Sequence, residues 1–148
     1  MALRNIVKIG DPILKKISRT VLNFDDRLHI LLDDMKETLK DADGAGLAAP
    51  QVGVLKRVCI VDIGDESGLI ELVNPKIIAA DGVQHEAEGC LSIPGESGIT
   101  ERPMKVTVAA QDRFGNNFTV EGEGLKARAF CHEIDHLDGI LYKDRLYK

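Results

Sequence analysis

Apolar residues recur at helical spacing in two stretches of the chain. The first stretch follows Asp25 and Asp26, and its apolar positions share one face of an amphipathic helix: Leu28, Leu31, Leu32, Met35 and Leu39. We predict this helix from about Arg27 to Ala42, ended by Gly44 as a left-handed cap.

The second stretch begins after Gly124 and continues to Leu137, with Gly139 just beyond it as the predicted cap. One face carries two histidines beside two apolar residues, and a second face is apolar throughout: Leu125, Ala129, His132 and His136, then Ala127, Phe130, Ile134 and Leu137. A helix that is apolar on nearly every side belongs in the interior. We therefore expect the histidines to lie beneath strands, where each needs a partner or a metal.

Segments rich in β-branched residues lie between the two helices and predict strands over residues 57–63, 69–75 and 105–112, with a turn into a further strand over 114–120. No repeat, low-complexity tract or linker interrupts the chain, so we predict a single domain over 1–148. The predicted fold class is α+β, with mixed, largely antiparallel β-sheets around a central helix and the first helix packed outside.

Composition narrows the possible functions. The 24 acidic and 19 basic residues give a formal charge of −5 and form no basic stripe, which argues against binding to duplex nucleic acid. No apolar run approaches the roughly 18 residues of a membrane span, and Asp11 and Pro12 stand where a signal peptide would be apolar. Three cysteines without a close pair indicate a reducing compartment. We expect a cytoplasmic protein with no membrane partner.

The stretch CHEIDHLDG at 131–139 contains the pattern HExxH. His132 and His136 are one helical turn apart and can reach one ion, while Glu133 lies about 100° round the helix, beside that ion. The alternative is a helix whose histidines bond to neighbouring carboxylates and carry no metal. The spacing favours two ligands and a base.

A catalytic metal site takes a third protein ligand and leaves a position for water. His29 lies on a face of the first helix that we expect to be solvated, and His85 lies in a polar loop. Cys59 and Cys131 are predicted to fill the core. Cys90 is the favoured ligand, because it lies in the glycine- and proline-rich stretch EGCLSIPGESG, where local backbone shape holds the thiol.

The expected chemistry is hydrolytic. A thiolate and two neutral imidazoles leave a divalent ion with one net positive charge, which favours a nucleophilic oxygen, and Glu133 then only has to move protons. Asp135 and Asp138 are candidates to orient the imidazoles.

Two further stretches accompany HEIDH: GAGLAAPQ at 44–51 and EGCLS at 88–92. In this order and with these separations, the three resemble the three motifs of the peptide deformylases. The resemblance implies one divalent metal ion, typically Fe2+ and otherwise Zn2+, Ni2+ or Co2+. Its ligands would be Cys90, His132 and His136.

The resemblance also implies roles for residues near the metal. Glu133 would be the general base and then the proton donor, while Gln51 and the backbone N–H of Leu91 would stabilise an oxyanion. Gly46 would let backbone groups approach the substrate. The methionine pocket would include Leu125 and Ala129.

The implied reaction removes the formyl group from N-formylmethionine at the start of nascent chains and releases formate. Glu86 and Ala87 stand where many members of the family have an apolar residue, and Arg102 is the nearest basic residue that could orient the peptide. Transient contact with the ribosome is implied less strongly, because the sequence stops at Lys148, before the C-terminal helix that some bacterial members use.

Two other functions fit the HExxH pattern alone. One is a zinc metallopeptidase, although no histidine or glutamate follows His136 to complete the ligand set usual in those enzymes. The other is a non-catalytic binding module stabilised by metal, for which four protein ligands are usual.

Overall fold

A computed structural model of the protein describes residues 2–147. Within them lie two α-helices and seven strands: α1 Asp26–Ala42, β1 Gly46–Ala48, β2 Val58–Val61, β3 Ile70–Asp81, β4 Gln84–Cys90, β5 Ile93–Arg102, β6 Lys105–Gln111, β7 Asn117–Glu123 and α2 Leu125–Leu137. Short 3-10 helices cover Pro12–Lys15, Ala49–Val52 and Tyr142–Arg145.

The strands form two sheets. Five strands pair in the order β1-β2-β3-β6-β7, and β4 pairs with β5 in a separate hairpin. Every pairing between these strands is antiparallel. The α+β prediction is therefore confirmed. No helix in the described part of the chain is long and apolar enough to cross a membrane.

The two helices cover opposite faces of the five-stranded sheet. Successive side chains of a strand point to opposite faces, and in β2 Cys59 and Val61 pack into the cluster around α2, whereas Val58 and Ile60 pack into the cluster around α1. The predicted apolar face of α2 is buried against the sheet: Ala127, Phe130, Ile134 and Leu137. The prediction of a central second helix is confirmed, with α1 on the other side.

The ends of the helices follow local chemistry. At the start of α1, the Asp25 carboxylate accepts a hydrogen bond of 3.2 Å from the backbone N–H of Leu28. At its end, Asp43 takes the left-handed conformation with φ 54°, so the prediction of Gly44 as that cap is wrong. Gly44 packs closely against a neighbouring side chain. A Cβ there would lie 2.9 Å from Leu91 Cδ1, so a larger residue would require the Leu91 side chain to shift. Gly139, after α2, has φ +73°, as predicted.

The β4–β5 hairpin was missed by the sequence analysis. Its strands pair from Gln84 opposite Arg102 to Cys90 opposite Ile93. Cys90 is therefore the last residue of a paired strand, and the expectation that loop shape alone holds its thiol is wrong. The hairpin brings this cysteine from one sheet to the helix that carries the histidines.

Candidate metal centre and active site

Three side chains converge beside the buried helix α2. The two histidine Nε2 atoms lie 3.2 Å apart, and Cys90 Sγ lies 3.4 Å from His136 Nε2. All three potential ligand atoms lie within 4.8 Å of one another. The structure thus brings together the three residues predicted as ligands. Along the chain, Cys90 lies 42 residues before His132 and 46 before His136.

These separations fit a single ion. Tetrahedral coordination, with bonds of about 2.1 Å to nitrogen and about 2.3 Å to sulfur, separates two nitrogens by about 3.4 Å and nitrogen from sulfur by about 3.6 Å. The observed 3.2 Å and 3.4 Å need only small adjustments. One thiolate and two imidazoles also match the preferences of zinc and of late first-row transition metals.

Glu88 orients His132. The His132 Nδ1 atom lies 2.5 Å from Glu88 Oε2, so its proton is held on that side and Nε2 faces the other potential ligands. Burial opposes the charged form of Glu88, but hydrogen bonds from His132 and Arg102 outweigh it and lower the pKa of this carboxyl to about 2. Glu88 is therefore a carboxylate at neutral pH.

The pKa values of the two imidazoles are shifted in opposite directions. Burial alone would lower the pKa of His132, but the negative charge of Glu133 and hydrogen bonds to Cys90 and Glu88 raise it to about 10. Negative surroundings that hold a proton also attract a divalent cation, which competes with the proton at Nε2. Burial, and then the positive charge of His132, lower the pKa of His136 to about 3, which leaves that imidazole neutral, the state needed for ligation.

Arg102 is buried and bonds to Glu88, so it does not face the substrate cleft. Its Nη2 lies 2.7 Å from Glu88 Oε2, its Nη1 lies 2.5 Å from Asp135 Oδ2, and the side chain is buried. Thr100 donates a further bond of 2.9 Å to Glu88. The suggestion that Arg102 orients the peptide is therefore wrong, because its Nε, Nη1 and Nη2 atoms all donate to carboxylates within the protein.

Asp135 and Asp138 do not contact the imidazoles. Asp135 accepts hydrogen bonds from Arg102 and from Arg145, the latter at 3.2 Å, while Asp138 pairs with Arg57 at 3.0 Å. Their predicted role as direct supports of the histidines is wrong. Asp135 is linked to His132 only through two intervening residues, Arg102 and Glu88.

The remaining histidines and cysteines lie outside the site. His29 is half-buried with Nε2 at 2.8 Å from the Arg113 carbonyl, so it is not simply solvated as expected. His85 lies in β4 and pairs with Glu101. Cys59 and Cys131 are free thiols in the core, as predicted, and burial raises the pKa of both.

The contribution of Glu88 to metal binding can be measured as a change in affinity for a divalent ion. Replacing Glu88 with glutamine removes the charge that fixes the His132 tautomer, and we expect affinity for a divalent ion to fall by about 10- to 100-fold. Competition with a chromophoric chelator measures it. Glu86→Gln is the matched control, since Glu86 lies two residues earlier on the same strand and is exposed. Equal affinities in the two variants would remove Glu88 from this role.

Glu133 lies beside the three potential ligands with its carboxylate buried. Its Oε1 atom has no hydrogen-bond partner among residues 2–147, which leaves it able to exchange a proton with a reacting group. Burial raises the pKa of Glu133 to about 7, although the positive charge of His132 opposes the shift. A carboxyl group with a pKa near neutrality can both accept and donate a proton at neutral pH.

Gly46 lies against this carboxylate. A Cβ at position 46 would lie 2.5 Å from Glu133 Oε2 and 2.9 Å from Glu133 Cγ. The family resemblance implies that this glycine allows close approach of the substrate. The structure adds a second reason, because any side chain here would displace Glu133.

Gln51 points its amide at the thiol side of the site. Its Oε1 accepts a bond of 3.0 Å from the Ala48 N–H, which turns Nε2 toward Ser92 Oγ at 3.1 Å and Cys90 Sγ at 3.5 Å. Leu91 lies between these two contact residues in the sequence, with its side chain packed into the α1 cluster. Gln51 and Leu91 are therefore placed next to the potential ligand Cys90.

A narrow cleft of about 140 Å³ leads to His132 and Glu133. The three residues predicted to bind substrate all line it: Gly46, Leu125 and Ala129. Ala87 lines it too, whereas Glu86 is exposed and is not part of the lining. Arg128 also lines the cleft and was not singled out in the sequence, because its helical position alone does not show what it faces.

Known proteins that are similar to this chain in sequence and in structure include peptide deformylases. A family model described as polypeptide deformylase matches residues 3–148. The chain is 60% identical over 148 residues to the peptide deformylase of Caldicellulosiruptor bescii, covering 100% of this chain and 88% of that protein. It is 55% identical to the peptide deformylase of Acetivibrio thermocellus, covering 100% of this chain and 86% of that protein.

The fold agrees with solved structures. The peptide deformylase of Thermotoga maritima superposes with a TM-score of 0.96 at 38% identity, over 100% of both chains. That of Legionella pneumophila superposes with a TM-score of 0.95 at 47% identity, over 99% of this chain and 87% of the other. The comparisons favour a deformylase over the metallopeptidase and binding-module alternatives. The chain belongs to the peptide deformylase family, a family of metal-dependent hydrolases.

Proposed function

We propose that Cys90, His132 and His136 bind one divalent metal ion and that the protein uses this site to hydrolyse the formyl group from N-formylmethionyl peptides, releasing formate. The observation that carries the proposal is the convergence of these three side chains within 4.8 Å, beside a buried glutamate and a narrow cleft. When bound, the ion supplies Lewis acidity and an activated water nucleophile at neutral pH.

We propose ferrous iron as the native metal. The family resemblance favours iron, and the donor set of one thiolate and two imidazoles also accepts zinc, nickel or cobalt. Anaerobic purification followed by elemental analysis identifies the ion. Iron at one equivalent per chain is the expected result, and zinc at one equivalent in anaerobically handled protein would contradict it.

Glu133 is proposed to move the protons. As a carboxylate it accepts a proton from the nucleophile, and as an acid it delivers that proton to the departing amine. Its buried setting and its pKa near neutrality suit both roles. The absence of a Cβ at Gly46 leaves room for its side chain in this position.

Gln51 and Leu91 are proposed to stabilise the negative charge that develops on the formyl oxygen. A side-chain N–H of Gln51 and the backbone N–H of Leu91 are the donors. Support for Gln51 comes from the Ala48 hydrogen bond, which fixes the amide with Nε2 toward Cys90. Each donor that is already in place when the charge forms contributes about 3 to 4 kcal/mol to lowering the barrier.

The narrow cleft is proposed to take the methionine side chain. Leu125 and Ala129 present apolar surface from α2, and Gly46 presents backbone from the edge strand β1. The formyl carbon bears only hydrogen, so a site too tight for a larger acyl substituent admits it and rejects other amides.

Gly46→Ala tests the packing of Glu133. The new methyl group would meet a carboxylate that is buried, so Glu133 must shift. Since a displacement of about 1 Å at a catalytic group can cost on the order of a hundredfold, we expect kcat to fall by about tenfold to a hundredfold with metal content unchanged. Formate release and elemental analysis measure the two quantities. A variant with full kcat would show that the glycine is not required by Glu133.

Three peptides test the reaction itself: formyl-Met-Ala-Ser, acetyl-Met-Ala-Ser and Met-Ala-Ser. The metal-loaded protein is expected to release formate from the first and nothing from the others. Free methionine from the third peptide would instead identify a peptidase.

Contact with the ribosome is a separate, transient interaction in this proposal. Co-sedimentation of the protein with ribosomes carrying formylated nascent chains tests it. Peptide hydrolysis without co-sedimentation would restrict the partners to the peptides.

A further inference from the structure

Arg128 is a cation in the wall of the cleft. It lies three residues after Leu125 and one turn before His132, on the face of α2 that lines the cleft. Uncharged residues of the lining include Ala87, Ala129 and Gly46, and Glu88, His132 and Glu133 line the cleft as well. Arg128 is half-buried, with part of its surface open to solvent.

The charge of Arg128 has no carboxylate partner among residues 2–147. Its one hydrogen bond there is a long one, 3.3 Å from Nη1 to the Ala87 carbonyl oxygen. Lys126, on the same helix, pairs with Asp65 at 2.8 Å, and Arg102 pairs with two carboxylates. Arg128 therefore retains N–H donors that an anionic group entering the cleft can bind, in the bidentate manner favoured by arginine and carboxylate.

The geometry of an extended peptide selects the residue that meets this cation. If the methionine side chain enters the cleft, the side chain of the second residue points away, and that of the third returns to the cleft side. The Cα atoms of the first and third residues are about 6.6 Å apart, a distance that an arginine side chain can bridge.

We infer that Arg128 is a specificity-determining residue that favours formylmethionyl peptides with aspartate or glutamate at the third position. This inference rests on the proposed function, because it requires the methionine side chain to occupy the cleft. The carboxylate of the substrate pairs with the Arg128 guanidinium at the rim, partly shielded from water. A lysine at the same substrate position places two cations together.

The test compares C-terminally amidated peptides, which lack a competing carboxylate. For formyl-Met-Ala-Asp-Ser-amide against formyl-Met-Ala-Lys-Ser-amide at low ionic strength, we expect kcat/KM to be roughly three- to tenfold higher for the acidic peptide. The ratio should fall toward one in high salt and should invert in Arg128→Glu. Because both peptides meet the same enzyme preparation, the ratio is independent of the active fraction of each variant.

Lys36→Glu is the matched control. Lys36 lines a neighbouring groove that shares Ala45 and Leu125 with the cleft, and it has the same lack of an ion pair in the described part of the chain. We expect this variant to keep the wild-type ratio. Inversion by Lys36→Glu but not by Arg128→Glu would overturn the assignment.

The outcomes also separate the inference from the function beneath it. Formate release that is equal for all peptides upholds the deformylase proposal and overturns the role of Arg128. Formate release from none of the peptides overturns both.

Discussion

Glu133→Gln is expected to lower kcat by a hundredfold or more while one equivalent of metal stays bound. Glutamine keeps the shape of the buried side chain but cannot take a proton from the nucleophile, a function worth about 10² to 10⁴ in rate. Glu133 is not among the three proposed ligands, so the substitution leaves the proposed donors to the ion in place. Formate release at saturating formyl-Met-Ala-Ser, with elemental analysis of the same sample, measures both parts.

The proposed role of Glu133 as general base predicts how kcat/KM changes with pH. Burial raises the pKa of Glu133 to about 7, and a nearby cation lowers it. A general base must be unprotonated, so kcat/KM of the wild-type enzyme should fall as the pH drops through a value at or below 7. That limb should be absent from the residual activity of Glu133→Gln.

Asp138→Asn provides the control for Glu133→Gln. It makes the same isosteric change just after the same helix, at a carboxylate that is partly exposed and paired with Arg57. Near-normal kcat is expected there. Loss of metal from Glu133→Gln, or a kcat within about threefold of wild type, would argue against the role of Glu133 as the proton carrier.

Cys90→Asp is expected to keep the fold and to weaken metal binding or change its preference. A carboxylate is a harder ligand than a thiolate, so the site should lose relative affinity for zinc and other thiophilic ions. Cys90 is only partly buried at the end of β4, so replacing its side chain disturbs the packing less than a substitution in the core would. Competition between zinc and cobalt for the metal-free protein, read with a chelator, measures the change.

Cys131→Ala is the matched control for Cys90→Asp. Cys131 is adjacent to His132 in the sequence, but its thiol packs in the core cluster under α2. Unchanged metal affinity is expected, with at most a modest loss of stability from the small cavity. If Cys131→Ala loses metal and Cys90→Asp does not, the identity of the sulfur ligand is wrong.

Helical periodicity in the sequence predicted the two helices because each has a continuous apolar face to bury. With Cys59 and Cys131 predicted to fill the core, Cys90 is the favoured sulfur. The structure brings that thiol to the imidazoles. The helix prediction succeeds because it depends on local spacing along the chain. The role of Cys90 as a metal ligand stays a prediction.

The β4–β5 hairpin could not be recognised in the same way. The sequence of β4, QHEAEGC, is mostly polar, and its buried positions include Gln84 and Glu88, which hydrophobic patterns do not detect. These side chains are buried because partners distant in sequence satisfy them, as Arg102 and His132 satisfy Glu88. Such a buried ionic network is visible only once the chain is folded.

X-ray absorption at the metal edge of protein loaded with one equivalent of zinc tests the proposed ligand set most directly. We expect one sulfur at about 2.3 Å and two imidazole nitrogens at about 2.0 to 2.1 Å, contributed by Cys90, His132 and His136. The sulfur shell should disappear in Cys90→Asp and persist in Cys131→Ala. A wild-type spectrum without sulfur, or with two sulfurs, would contradict the site proposed for this enzyme.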